Sequence, residues 1–161
     1  MSTTEIGWCS IGEAMTKGLE ELLHDHWIEV EAHRDEIPLA VDWPRYNLLE
    51  RTGIYKSVAA QKDGRLVGYA SYFLQPSLHN RYTVFAVNDV LYVARQHRKG
   101  LLGPRLIREA EKLLAAEGAR VITQGDRKSV HSTDENSRAN LGHLLLRSGY
   151  ELAEKVYAKL L

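Results

Sequence analysis

The segment 83–118 constrains the fold of this chain more than any other part of the sequence. Residues 83–93 form a long apolar run, which predicts a buried central strand. A basic turn containing two glycines follows, and an apolar pattern of helical period then runs from Leu102 towards Gly118. The N–H groups at the start of a helix lack partners and attract anions, and Arg98 and Lys99 add positive charge. The turn is therefore predicted to bind phosphate.

This phosphate site differs from two common nucleotide motifs. No Gly-Lys-Ser/Thr ends the turn, so it is not a P-loop, and its glycine spacing does not match the dinucleotide-binding fingerprint. The chain has 161 residues and a formal net charge of zero, so attraction of anions has to come from this local feature.

The spacing within the turn resembles a known family motif. Asp89, Tyr92, Arg98 and Gly103 follow the order acid-x-x-Tyr-Val-x-x-x-x-Arg-x-x-x-x-Gly, which is similar to the acyl-CoA-binding motif of the GNAT superfamily of acyl-CoA N-acyltransferases. The family loop usually reads Arg/Gln-x-x-Gly-x-Gly/Ala. Here Leu101 stands where the first glycine is expected, and Gly100 precedes it.

The resemblance implies a coenzyme A site. Backbone amides of the turn would grip the pyrophosphate, and the preceding strand would pair with the pantetheine arm. The residues implied for the pyrophosphate are Arg98, Lys99, Gly100, Leu101, Leu102, Gly103 and Pro104. Those implied for the pantetheine arm are Leu91, Tyr92 and Val93.

The order of predicted elements also agrees with the GNAT fold. Expected are an α/β (α+β mixed) fold in one domain over residues 1–161, with a twisted mixed sheet, helices on both faces, and a sheet that splays near the motif strand. Helices are predicted at 10–31, 42–53, 102–118 and 136–147, and strands at 54–61, 65–74, 83–93, 121–123 and 151–160.

The implied reaction is transfer of an acetyl group from acetyl-CoA, or another acyl-CoA, to a primary amine by direct attack in a ternary complex. Such attack needs a neutral amine, and Asp89, an acid inside an apolar strand, is the predicted base. The family's usual general acid is a tyrosine, but Leu145 occupies its position. Tyr157 and His143 are alternative candidates, and solvent could also protonate the thiolate.

The acceptor pocket of the family is built from early helices and the loop before the motif strand. The residues predicted to bind the acceptor are Trp27, Glu29, His79 and Tyr82. The histidines lack compact metal-ligand spacing, so no metal is expected; those considered are His24, His26, His33, His79 and His131.

The composition of the chain also bears on its location and on the kinds of molecule it binds. The single cysteine, Cys9, excludes an internal disulfide and fits a cytoplasmic location. No apolar stretch is long enough to span a membrane, and the N-terminus does not read as a secretory signal. Neutral charge argues against nucleic acid, although a basic run at 95–108 could be a local footprint.

Several alternatives stay open at this stage. The chain could be a non-catalytic GNAT-fold binding module, an interpretation favoured by Leu101 and Leu145. The acceptor could be a small molecule, a host protein or a modified nucleic acid, and the chain could form a homodimer. The early histidines together with Asp-Trp-Pro-Arg-Tyr resemble GNAT proteins often carried by tailed phages.

Overall fold

The computed structural model describes residues 3–126 and 140–161. Its centre is a five-stranded mixed sheet in which the strands follow one another in chain order. The strands are β1 (Glu5–Trp8), β2 (Tyr55–Lys62), β3 (Arg65–Pro76), β4 (Val84–Val93) and β5 (Ala119–Thr123). The first four strands are antiparallel to their neighbours, and β5 joins β4 in parallel after a helical crossover. This arrangement confirms the predicted mixed α/β fold.

Helices cover both faces of the sheet. They are α1 (Ile11–Thr16), α2 (Leu19–Val30), α3 (Trp43–Arg51), α4 (Leu102–Ala116) and α5 (Asn140–Arg147), with a 3-10 turn at Arg95–His97. On one face, Leu106, Ala110 and Leu114 of α4 are buried against the sheet. On the other face, Ala14 and Leu22 of the first two helices pack on the sheet. Both clusters form because α1, α2 and α4 present apolar stripes at helical spacing.

Local sequence signals account for most element boundaries. The Ser10 hydroxyl accepts a hydrogen bond from the Glu13 amide at 3.1 Å, and Asp42 Oδ1 accepts one from the Arg45 amide at 3.0 Å. These side chains cap α1 and α3, and serine and aspartate are among the residues most favoured at this position. Asp63 and Gly64 both have positive φ, 52° and 75°, as a two-residue hairpin turn between β2 and β3 requires, and Asp-Gly is a sequence that favours such a turn.

The early helix is split, which the sequence analysis did not predict. It treats residues 10–31 as one helix, but the structure ends α1 at Thr16 and begins α2 at Leu19. Gly18 adopts a φ of 93°, a left-handed conformation that breaks an α-helix. The apolar residues keep the same spacing on both sides of the break, so hydrophobic periodicity alone did not reveal it.

The two ends of the chain differ from expectation. The four-residue edge strand β1, which pairs with β2, was not predicted because so short a segment carries little pattern. The predicted strand at 151–160 is wrong, since residues 150–161 are irregular and residues 151–161 are exposed. Leu152, Val156 and Leu160 lie four residues apart, a spacing that would place them on one face of a strand, so the local pattern did not exclude a strand. Residues 136–139 of the predicted last helix lie outside the described residues.

Candidate active site

Strand β4 loses its parallel neighbour halfway along its length. It pairs with β5 only over Val84–Val87. At the next position, Asn88 Oδ1 accepts a hydrogen bond from the Gly125 amide at 3.4 Å. Within the part of the chain that the structure describes, no strand pairs with the β5 side of residues 89–93. The backbone of this half of β4 can therefore pair with a ligand, in the place where the sequence predicted a splay.

A β-bulge at the same point places Asp89. Ser71 of β3 pairs with Val90 and Tyr72 pairs with Asn88, so Asp89 is the extra residue in β4. The Tyr55 hydroxyl donates a hydrogen bond to Asp89 Oδ2 at 3.3 Å. The bulge thus turns a carboxylate of a central strand towards the face of the sheet that α2 and α3 cover.

Asp89 lines a cavity of about 370 Å³ on that face. Helices α1 and α2, the segment 31–42 and the start of α3 enclose it, and β2 and β3 form its floor. Its aromatic lining residues are Trp27, Trp43, Tyr46, Tyr55 and Tyr69. A cavity lined largely by apolar and aromatic side chains, with few polar groups, is typical of a small-molecule site.

The tyrosines of the cavity are held in their neutral form. Burial, with a further contribution from the Asp89 carboxylate, raises the pKa of Tyr55 and of Tyr46 above the ordinary value. Burial likewise raises the pKa of Tyr69. These hydroxyls therefore remain hydrogen-bond donors at neutral pH, and Tyr55 donates to Asp89 rather than competing with it for a proton.

His26 links the cavity to the β4 strand. Its Nδ1 lies 2.8 Å from the Tyr69 hydroxyl, and its ring stacks on Tyr92 with centroids 4.7 Å apart. Both tyrosines come from paired positions of β3 and β4, and His26 reaches them from α2. This cluster fixes α2 on the sheet beside the half of β4 that pairs with β3 but not with β5.

Arg98 forms a bidentate ion pair with Glu29 of α2. Its Nη1 donates to Glu29 Oε1, its Nη2 donates to Oε2 at 2.7 Å, and its Nε donates to the Val93 carbonyl at 2.8 Å. The Tyr92 hydroxyl also donates to Glu29, at 3.2 Å. Burial opposes ionisation of Glu29, but the hydrogen bonds and charge of Arg98 outweigh it and hold the pKa of that carboxyl below its usual value.

Two of the predicted site residues bind each other. Arg98 was predicted to bind pyrophosphate and Glu29 to bind the acceptor, but in the structure the Arg98 guanidinium and the Glu29 carboxylate form an ion pair. The pair ties the turn after β4 to helix α2, so it positions the turn.

The turn itself presents backbone donors. Within residues 3–126 and 140–161, no group accepts a hydrogen bond from the amides of Lys99, Gly100, Leu101, Leu102 or Gly103. Helix α4 begins at Leu102 without a side-chain cap, and Gly100 has a φ of 127°, a conformation that favours glycine. A run of backbone amides without acceptors at a helix start can bind an anion.

Other predicted residues lie away from the cavity. His143 of α5 is exposed, and Tyr157 has 89% of its surface accessible. His79 and Tyr82 are exposed in the β3–β4 connection. Of the residues predicted to bind the acceptor, only Trp27 lines the cavity.

Among the described residues, no group of three or more His, Cys, Asp or Glu side chains could hold a metal, and no helix is long and apolar enough to cross a membrane. His131 lies outside the described residues.

Sequence reasoning missed most of the cavity wall. Tyr46, Tyr55 and Tyr69 were not singled out, and His26 was considered only as one of several histidines. Tyr55 and Tyr69 sit on strands where aromatic residues are common, so nothing in their local pattern separates them from core residues. Only the alternation of β2 and β3, combined with knowledge of which face α2 covers, could have found them.

Cys9 is a buried thiol at the edge of the cavity. Burial, reinforced by the negative charge of Glu13, raises the pKa of the Cys9 thiol to about 11. We expect iodoacetamide to modify the folded protein negligibly at pH 7.5, because only the thiolate reacts, and the rate to increase with pH towards 11. Mass spectrometry measures this, with urea-unfolded protein as the reactive control. Rapid labelling of folded protein at pH 7.5 would contradict it.

Comparison with known proteins agrees with this geometry. The sequence matches the family model of the acetyltransferase (GNAT) family over residues 17–139. No curated protein matches the chain.

Solved structures share the fold at low identity. An aminoglycoside acetyltransferase from an uncultured soil metagenomic sample is 19% identical with a TM-score of 0.69, covering 99% of this chain and 97% of that one. A ribosomal-protein-alanine N-acetyltransferase from Brucella melitensis biovar Abortus 2308 is 14% identical with a TM-score of 0.69, covering 99% of both chains. Glucosamine-6-phosphate N-acetyltransferase from Arabidopsis thaliana is 14% identical with a TM-score of 0.69, covering 98% of both. With the family model spanning most of its length, this chain belongs to the GNAT family of acetyltransferases.

Proposed function

We propose that this protein transfers an acetyl group from acetyl-CoA to a primary amine by direct attack in a ternary complex. The observation that carries the proposal is the position of Asp89. Asp89 lines the cavity at the bulge where β4 stops pairing with β5. The turn whose amides would bind phosphate follows the same strand. One continuous segment of the chain therefore supplies both the proposed base, Asp89, and the proposed phosphate-binding amides. A cytoplasmic location, where Cys9 stays reduced, is part of the proposal.

The residues present fit coenzyme A. The amides of residues 99–103 would hold the pyrophosphate, and the backbone of Leu91, Tyr92 and Val93, which pairs with β3 on its other side, would pair with the pantetheine arm along the edge that β5 does not reach. When bound, acetyl-CoA would supply an acyl group activated as a thioester. Arg98 would act indirectly, since its guanidinium is already committed to Glu29 and the Val93 carbonyl.

Asp89 would accept the proton that the acceptor ammonium must lose. The Tyr55 hydroxyl donates to Oδ2 and so orients the carboxylate. The neutral tyrosines around it bring no competing negative charge. No side chain of the cavity is assigned as general acid. Leu145 is buried and apolar, Tyr157 and His143 are exposed, and solvent would return a proton to the thiolate.

Binding of coenzyme A tests the turn assignment. Free coenzyme A at 100 times its Kd should stabilise the protein by about 2.7 kcal/mol in thermal unfolding. Gly100→Ala is expected to weaken coenzyme A affinity about tenfold in calorimetry, because a side chain disfavours the φ of 127° at this position and would change the conformation of the turn.

Gly12→Ala is the matched control, because Gly12 lies within α1 and an added methyl group meets nothing within 4 Å. It should leave coenzyme A affinity unchanged. Equal affinities for both variants and the native protein would remove the turn from the coenzyme A site.

The fold does not choose the acceptor. The three related structures named above are described as acting on an aminoglycoside, a ribosomal-protein alanine and glucosamine 6-phosphate. These acceptors differ in size and charge, so the choice for this chain depends on the residues of its own cavity.

A further inference from the structure

The cavity wall between α2 and α3 is an uninterrupted apolar segment. Its residues are Ile37, Pro38, Leu39, Ala40 and Val41, and all of them line the cavity. They belong to no helix or strand, so the period of a regular element does not explain why they are apolar. Ile37 has 47% of its surface exposed. Exposed apolar surface beside a cavity is typical of a ligand-binding surface, because an apolar ligand removes it from water.

A series of aromatic rings leads from this wall to Asp89. Trp43 lies at the start of α3, and its ring centroid is 6.1 Å from that of Tyr46. The rings of Tyr46 and Tyr55 meet edge to face with centroids 5.1 Å apart, and the Tyr55 hydroxyl donates to Asp89 at 3.3 Å. All four residues line the cavity. An apolar group attached to an amine beside Asp89 would therefore pack against aromatic side chains.

Polar side chains on the cavity floor already bind one another. The hydroxyls of Ser57 on β2 and Ser71 on β3 are 2.8 Å apart. The Tyr69 hydroxyl, also on β3, lies 2.8 Å from His26 Nδ1. An acceptor with many hydroxyl groups would lose its bonds to water on entering and would have to displace these protein bonds to replace them, which disfavours it.

The acidic side chains at the two ends of the wall also have partners. Asp42 Oδ1 accepts from the Arg45 amide at 3.0 Å, and Glu31 Oε1 accepts from the His33 amide at 3.2 Å. Packing of an apolar group requires no hydrogen bond from either carboxylate. It requires only apolar surface that a ligand can cover, which the wall and the aromatic rings supply.

We propose that the acceptor is a primary amine carried on an apolar group. The amine lies beside Asp89, and the apolar group packs against Trp43, Tyr46 and the wall segment 37–41. The inference rests on the proposed function for the position of the amine, whereas the choice of the attached group follows from the apolar lining alone. Arylalkylamines and alkylamines share this chemistry.

The test compares 2-phenylethylamine with ethanolamine, which share a two-carbon amine and differ in carrying a phenyl ring or a hydroxyl group. Each is titrated into the protein with free coenzyme A present, and shifts of the amide resonances in NMR spectra give Kd. We expect 2-phenylethylamine to bind about 10- to 100-fold more tightly, the effect of burying one phenyl ring. Glucosamine, an amine on a polyhydroxylated ring, should bind no more tightly than ethanolamine.

Two variants remove apolar surface from the cavity. Trp43→Ala should weaken binding of 2-phenylethylamine about tenfold and leave the affinity for ethanolamine nearly unchanged. Ile37→Asn should act in the same direction, and because Ile37 is half-exposed the fold does not depend on it. The matched control is Leu48→Ala, on the same helix as Trp43 but 50% exposed and outside the cavity lining, which should keep the native affinities. A fourth ligand, 1-aminohexane, assigns the site to alkylamines if it binds more tightly than 2-phenylethylamine, and to arylalkylamines if it binds less tightly.

The inference is overturned if 2-phenylethylamine does not bind, if it binds no more tightly than ethanolamine, or if glucosamine binds more tightly than it does. A preference for the phenyl ring that survives both Trp43→Ala and Ile37→Asn would place the ligand outside this cavity and would also overturn it. Binding is measured without transfer, so the two proposals fail separately. Absence of thiol release from acetyl-CoA with every amine, together with a phenyl preference that depends on Trp43, would overturn the proposed function alone.

Discussion

Replacing Asp89 with asparagine is expected to lower kcat for acetyl transfer by about 10²- to 10⁴-fold, the range typical of losing a general base. Asparagine has the same shape and can still accept the hydrogen bond from Tyr55, but it cannot take a proton from the attacking ammonium. Affinity for coenzyme A should be unchanged, because the amides of the turn do not depend on this side chain. Initial rates of thiol release at saturating acetyl-CoA measure the effect.

The pH profile distinguishes a base from a merely structural acid. If Asp89 removes the proton, the variant should regain rate at high pH, where the acceptor is already neutral. Glu109→Gln controls for loss of a carboxylate outside the cavity and should keep the native rate. A decrease of less than about threefold in kcat at neutral pH would exclude Asp89 as the base.

Replacing Arg98 with glutamine is expected to lower the free energy of unfolding by about 2–4 kcal/mol, since removing one partner of a largely buried ion pair leaves the other charge unpaired. The Glu29 side chain has only 10% of its surface exposed, and Arg98 has 29%. The double variant Glu29→Gln/Arg98→Gln should recover part of the loss. Urea unfolding of the native protein, of the single variants Arg98→Gln and Glu29→Gln, and of the double variant completes a double-mutant cycle.

Acid stability provides an independent readout of the same pair. The pKa of Glu29 is lowered in the folded protein, so the stabilisation is complete above the pKa of an unfolded glutamate, about 4.3, and is lost as pH falls through the lower folded value. The Glu29→Gln variant should lack this part of the acid-side decrease. If Arg98→Gln kept full stability but lost most of its affinity for coenzyme A, Arg98 would instead be a phosphate ligand.

Much of the fold could be predicted because its signals are local. The apolar run of β4, the helical period of α4 and the Asp63-Gly64 turn each identify one element within a short window. The break between α1 and α2 was missed because a single backbone angle at Gly18 decides it. The final strand was wrongly predicted because pairing depends on a neighbour that the segment itself does not specify.

The candidate site also has a part that local sequence predicts and a part that it does not. Asp89 and the turn from Arg98 to Pro104 were predicted because they are adjacent in the chain and carry a recognisable pattern. The side chains around Asp89 come from separate elements: Tyr55 from β2, Trp27 from α2 and Asp42 from the start of α3. No short window of sequence contains such a set.

The sequence by itself determined the succession of elements from α3 to β5, the basic turn that opens α4 and the acid within β4, since these depend on neighbouring residues. Only the tertiary structure decided that Arg98 binds Glu29, 69 residues away, and that Glu31, Asp42 and Asp89 line one cavity. The physical reason is that packing α2 and α3 on the sheet brings distant charges together, and their partners then depend on distance and burial.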